Sequence, residues 1–146
     1  MRRLKWLIVL MAVIQPLAHA ELVANVTDGD TFVLADQQRV RLADIDAPEL
    51  SQPYGPEAKA MLAKLIEGKD VALQCQERKS YRRLICKVYR DALDIQAEMV
   101  GWGLAFDYAK YSNGAYQPAE VFAHRMKRGV WSGGIRPWDY RHLART

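Results

Sequence analysis

Between Leu22 and Ile45, apolar and polar residues alternate, and two clusters of turn-forming residues interrupt the alternation. The first is Asp28-Gly29-Asp30; the second is Ala35-Asp36-Gln37-Gln38, with Asp36 the residue best suited to turn the chain. The pattern predicts two strands from Leu22 to Leu34 and a third from Arg39 to Ile45. Side chains alternate across a strand, so Val40 and Leu42 face one way while Arg39, Arg41 and Ala43 face the other. Asp46-Ala47-Pro48-Glu49 then leaves the sheet, because Pro48 has no N–H to give to a ladder.

Helical spacing takes over at Gly55-Pro56, where proline suits the first helical position. Ala58, Met61, Leu62, Leu65 and Ile66 form one stripe, and Gly68 ends it. Val71 to Cys75 and Leu84 to Tyr89 read as a hairpin. Asp94 can cap a second helix carrying Ile95, Met99 and Trp102. A third runs from about Pro118 to Arg128, with Ala119, Phe122, Ala123 and Met126 on one side. Strands first and helices afterwards predict an α+β chain, mainly β, built as a small barrel with helices against it. A length of 146 residues suits one such domain.

Residues 1–20 read as a signal peptide: Arg2, Arg3 and Lys5, then a short apolar run from Trp6 to Ile14, then Ala18-His19-Ala20. Cleavage after Ala20 leaves residues 21–146 as the working domain, secreted or periplasmic and with no stable membrane insertion. It also removes three basic residues and no acidic ones. The formal charge of +4 thereby falls to +1, with 18 basic residues against 17 acidic. Attraction for a polyanion must come from where charges sit, not from their sum. Two cysteines in an exported chain favour a pair over free thiols. If Cys75 faces Cys86 across the hairpin, Leu73 faces Val88, a sensible apolar pair.

Two cysteines and three histidines are a poor basis for a zinc site, and no HExxH, CxxC or Walker loop occurs. Hard oxygen donors and cations are instead concentrated in Asp28-Gly29-Asp30-Thr31 and in Arg41 to Glu49. Taken singly, each part has a plain reading. Asp28 and Asp30 favour a turn, Arg41 can form a solvated ion pair, and Arg82 and Arg83 can sit on an exposed hairpin tip. Together they offer what phosphodiester hydrolysis needs: oxygens for a hard cation, guanidinium forks for phosphate and a carboxylate for water.

The ordered set Val26-Thr-Asp-Gly-Asp-Thr31, Val40-Arg-Leu, Asp46-Ala-Pro-Glu49 and Tyr54-Gly-Pro-Glu-Ala58 resembles the staphylococcal nuclease (thermonuclease) family. The resemblance continues through Tyr81-Arg-Arg83, Gly103-Leu-Ala105 and Gly129-Val-Trp131, across essentially the whole mature chain. It implies a five-stranded OB-type β-barrel with about three helices, cleaving DNA and RNA with Ca²⁺ and leaving 3′-phosphate ends. It further implies that Asp30, Asp46 and the Ala47 carbonyl hold the cation. Glu49 would activate water, Arg41 and Arg83 would bind phosphate, and Tyr81 would help hold it. Tyr108 and Tyr111 are candidates for a base-stacking surface, against the alternative of core or edge aromatics. Such a surface favours single-stranded or denatured substrate, and nothing requires more than a monomer. Arg82 departs from the family by standing where glycine is usual, Ser80 replaces a commonly charged residue, and the tyrosine spacing after Ala105 differs slightly. The competing expectation is a non-catalytic OB-type module that binds nucleic acid without cutting it.

Overall fold

The computed structural model describes residues 20–80 and 82–145. In chain order these form β1 (Ala20–Val26), β2 (Thr31–Leu34), β3 (Arg39–Leu42), β4 (Ile45–Asp46), α1 (Gly55–Ile66), β5 (Asp70–Ser80) and β6 (Arg83–Arg90). They continue with β7 (Leu93–Asp94), α2 (Ile95–Gly101), β8 (Phe106–Asp107), α3 (Ala109–Ser112), α4 (Gln117–Arg125), a 3-10 turn (Gly129–Ser132) and α5 (Pro137–Leu143). The expected leader lies outside the described residues except for Ala20, which opens β1. Among the described residues no helix is long and apolar enough to cross a membrane.

Strand β1 pairs with β2 on one side and β5 on the other, β2 pairs with β3, and β5 pairs with β6. β6 then runs parallel to β3, Val40 opposite Leu84 and Leu42 opposite Cys86, and so closes a ring of five strands. Closure gives each of these five strands a partner on both sides. The alternation sends Val23, Val26, Phe32, Leu34, Val40 and Leu42 inward, all at most 4 % exposed. α1 covers this barrel with Ala58, Leu62 and Ile66, and α2 with Ile95, Met99 and Val100. Asp94 caps α2 as its sequence position predicts, accepting from the Ala97 N–H.

The third strand is shorter than the alternation implies. It ends at Leu42; Asp44 takes a left-handed conformation (φ 68°) and the chain resumes as β4, paired with β8. Ala43 is therefore not on Arg41's outward face: it is buried, its N–H donating to the Cys86 carbonyl. The buried amide of Gln96 braces this turn, accepting from Val88 N–H and donating to the Cys86 carbonyl (both 3.1 Å). Helical spacing also misled at three surface positions, one of them Met126, which is 57 % exposed and caps the C-terminal end of α4. Trp102 and Phe122 are 45 % and 49 % exposed, and the Arg128 guanidinium lies between their rings at 4.6 and 4.7 Å. α4 reaches the interior through the smaller Ala123. The one-turn α3 and the seven-residue α5 add to the three helices that the sequence predicts.

Cys75 opposes Cys86, Leu73 opposes Val88, and the two cysteines form a disulfide. Replacing both with serine is expected to cost about 2–4 kcal/mol in urea unfolding. A loss below about 0.5 kcal/mol would mean that the hairpin holds its register without the bridge.

Candidate active site

The site is assembled where three pieces of backbone meet at one end of the barrel. The β1–β2 turn brings Asp30: the Asp28 carboxylate accepts from the Asp30 N–H (3.0 Å), an Asx turn that fixes the corner. Gly29 lets this corner press against the following segment, because a Cβ there would come within 2.7 Å of both Ala47 Cβ and Ala58 Cβ. The exit of β4 brings Asp46, Ala47 and Glu49. Gly55 closes the loop behind them, where a Cβ would meet the Glu49 carbonyl at 1.9 Å. Arg41 enters from β3, directly opposite Thr31 in the ladder.

Arg41 joins the two buried aspartates. Its Nη1 donates to Asp30 Oδ1 at 2.8 Å and its Nη2 to Asp46 Oδ1 at 3.1 Å. Asp30 also accepts from Thr31 Oγ1 (3.0 Å) and from the Ala47 N–H (3.1 Å). A second guanidinium completes the arrangement: Arg141 of α5 donates to Asp46 Oδ2 at 2.6 Å and to Glu49 Oε1 at 2.7 Å. Around these groups lies an open cleft of about 390 Å³, also lined by Asp28, Pro48, Arg83 and Tyr108.

Burial dominates the electrostatics of Asp30. It pushes the carboxyl from 3.8 up to about 6 against the lowering pull of Arg41, with Asp28 and Asp46 adding to the rise. For Arg41, burial acts to lower the pKa, but Asp30 and Asp46 outweigh it and raise the guanidinium further. Arg141 behaves alike, with Asp46 and Glu49 overcoming partial burial. Both arginines hold their charge. In the unfolded chain Asp30 titrates near 3.8, so its ionised form opposes folding increasingly as pH rises from there through about 6. In cation-free buffer at pH 7.5, Asp30→Asn is expected to exceed the parent in stability by about 1–3 kcal/mol, an advantage that vanishes near pH 4. Urea unfolding at the two pH values checks this; a less stable variant at pH 7.5 contradicts it.

Among the described residues, no three carboxylate, histidine or cysteine side chains gather as a ready-made metal cage. Asp30 and Asp46 nonetheless face one point, because both reach the same guanidinium, which is itself a cation. The donors are oxygens throughout, the chemistry of Ca²⁺ or Mg²⁺ rather than of zinc. In charge and donor type the two carboxylates fit a hard cation.

The family described as "Staphylococcal nuclease homologue" matches residues 39–133, more than half of the chain. The chain belongs to the staphylococcal nuclease family. An uncharacterized endonuclease of Escherichia coli O157:H7 is 36 % identical over 127 residues, covering 82 % of this chain and 83 % of that protein. One from Haemophilus influenzae is 35 % identical over 126 residues, with 82 % and 71 % covered. A probable staphylococcal-like nuclease of Oryza sativa subsp. japonica is 36 % identical over 120 residues, which make up 80 % of this chain and 33 % of the plant protein.

Of the positions that the family resemblance singles out, Asp30, Arg41, Asp46, Ala47, Glu49, Arg83 and Tyr108 line the one cleft. Tyr81 lies outside the described residues. Tyr111 does not line the cleft; its ring packs edge-on against Tyr108 at 4.8 Å between centroids. Arg82, standing where this nuclease family usually has glycine, adopts φ 62°, the left-handed conformation that glycine takes without strain. Arg141 was not foreseen. Its segment lies beyond residue 133, and the only sequence signal for it is Pro137 at the first position of a short helix.

Proposed function

We propose that the chain is an exported, Ca²⁺-dependent nuclease that hydrolyses the phosphodiester bonds of DNA and RNA and leaves 3′-phosphate ends. Membership of the staphylococcal nuclease family supports a nuclease function, as do relatives named endonuclease. The observation that carries the finer reading is the meeting of Asp30, Asp46, Glu49, Arg41 and Arg83 in one cleft. Asp30, Asp46 and the Ala47 carbonyl would hold the cation. When bound, Ca²⁺ supplies positive charge against the phosphoryl oxygens. Arg41 and Arg83 offer planar forks to the same oxygens, a geometry lysine lacks. Glu49, whose side chain is 44 % exposed, faces solvent and accepts a hydrogen bond from the attacking water. The water oxygen bonds to phosphorus and loses a proton to solvent, the bond to the 5′-oxygen breaks, and the departing oxygen takes a proton from solvent, so that one water is consumed. Tyr108, stacked on Trp138 at 6.3 Å, presents a ring to an unpaired base, which favours single-stranded substrate.

The leader-like residues 1–20 and the disulfide support export, since such bridges persist in oxidising compartments. The mature protein is read as a monomer, with every cleft residue supplied by one chain. End-group analysis of digested, denatured DNA tests the chemistry. The expected products resist 3′-extension until treated with phosphatase; directly extendable 3′-hydroxyl ends would reject the assigned bond cleavage.

A further inference from the structure

The loop that carries Glu49 is fastened to the C-terminal segment at several points. Gln52 is 2 % exposed; its Oε1 accepts from the Glu49 N–H at 3.1 Å, and its Nε2 donates to the Ile135 carbonyl. Tyr140 Oη donates to Ser51 Oγ at 3.0 Å, and the hydroxyls of Tyr54 and Ser132 meet at 2.6 Å. α5 is held in turn by Trp138, whose ring packs edge-on against Phe106 at 5.4 Å and stacks on Tyr108. This framework places Arg141 across two carboxylates of unequal freedom. The Asp46 side chain is 2 % exposed, whereas that of Glu49 is 44 % exposed.

We infer that Arg141 is a positioning residue that holds the Glu49 carboxylate in its working orientation, with α5 as the arm that delivers it. An exposed glutamate left to itself samples several rotamers, and ordering it costs entropy. A guanidinium fork that grips buried Asp46 with one nitrogen and Glu49 with the other removes that freedom. Water-directed chemistry is sensitive to such placement, since a displacement near 1 Å costs about 100-fold in rate. The inference rests on the nuclease reading. It concerns a helix beyond the residues that match the family, so it adds a part to that site rather than restating it.

Steady-state cleavage of denatured DNA with Ca²⁺ tests it, using the parent, Arg141→Ala, Arg141→Met, Glu49→Gln and each Arg141 change combined with Glu49→Gln. Methionine keeps a packing stem without the fork, which separates lost folding from lost positioning. Both single Arg141 changes are expected to lower kcat by about 10- to 100-fold with KM within about threefold. In the Glu49→Gln background the same changes are expected to alter kcat by less than about twofold, because the group they position is already disabled. Calorimetric Ca²⁺ binding without substrate should stay within about threefold of the parent. A full further loss in the Glu49→Gln background would overturn the inference. So would parental or faster turnover with tighter Ca²⁺ binding, the signature of a counter-ion that the metal must displace. Absence of Ca²⁺-dependent turnover in the parent itself would remove the nuclease reading, and this inference with it.

Discussion

Arg41→Lys and Arg83→Lys are each expected to lose about 100-fold or more of turnover on denatured DNA while folding normally. The two sites differ in what surrounds them. Arg41 is tied to Asp30 through one nitrogen and to Asp46 through another, so a lysine there keeps the charge but loses the planar fork that spans the two carboxylates. Cation-free Arg41→Lys should therefore also lose stability, by about 1–2 kcal/mol, because both aspartates are buried. Arg83 lies at the start of β6 and lines the same cleft from the hairpin. Thermal melting of its lysine variant beside the parent separates loss of the fork from any loss of folding. Near-parental rates in either variant would show that bidentate geometry is dispensable.

Glu49→Gln is expected to lower turnover by about 100- to 10,000-fold with little change in nucleotide affinity. Glutamine has nearly the same shape and can still accept from Arg141, but it lacks the negative charge with which a carboxylate orients or deprotonates water. Thermal melting should move little, because the side chain is half exposed and its ion pair with Arg141 is open to solvent on both sides. A collapse in nucleotide or Ca²⁺ binding equal to the loss in rate would place Glu49 among the cation ligands instead.

Much of this was legible before any coordinates. Strict alternation placed Val40 and Leu42 on one face and Arg41 on the other, and the Cys75–Cys86 bridge expected of an exported chain is observed. That Asp30, Arg41, Asp46, Glu49 and Arg83 share one cleft was legible because their order along the chain matches a family, and because the first turn and the exit of the third strand can converge only at one barrel end. What stayed hidden had weak local signals. The break at Asp44 needs a left-handed residue other than glycine, which no spacing rule singles out. Trp102 and Phe122 have the spacing of core residues, yet the long stem and charged head of Arg128 shield them at the surface. α5 has no apolar stripe and buries only Pro137; its place is fixed by contacts such as Tyr140 to Ser51 and Arg141 to Glu49, 89 and 92 residues apart. Long-range fastening of this kind leaves no periodic trace.

The most direct measurement is the initial rate at which residues 21–146 cleave denatured DNA, taken with Ca²⁺, then with excess chelator, then with Ca²⁺ restored. Cleavage, arrest and recovery are expected in that order. Equal rates in all three conditions, or no cleavage above background in any, would contradict a cation held by Asp30 and Asp46 as the centre of this site.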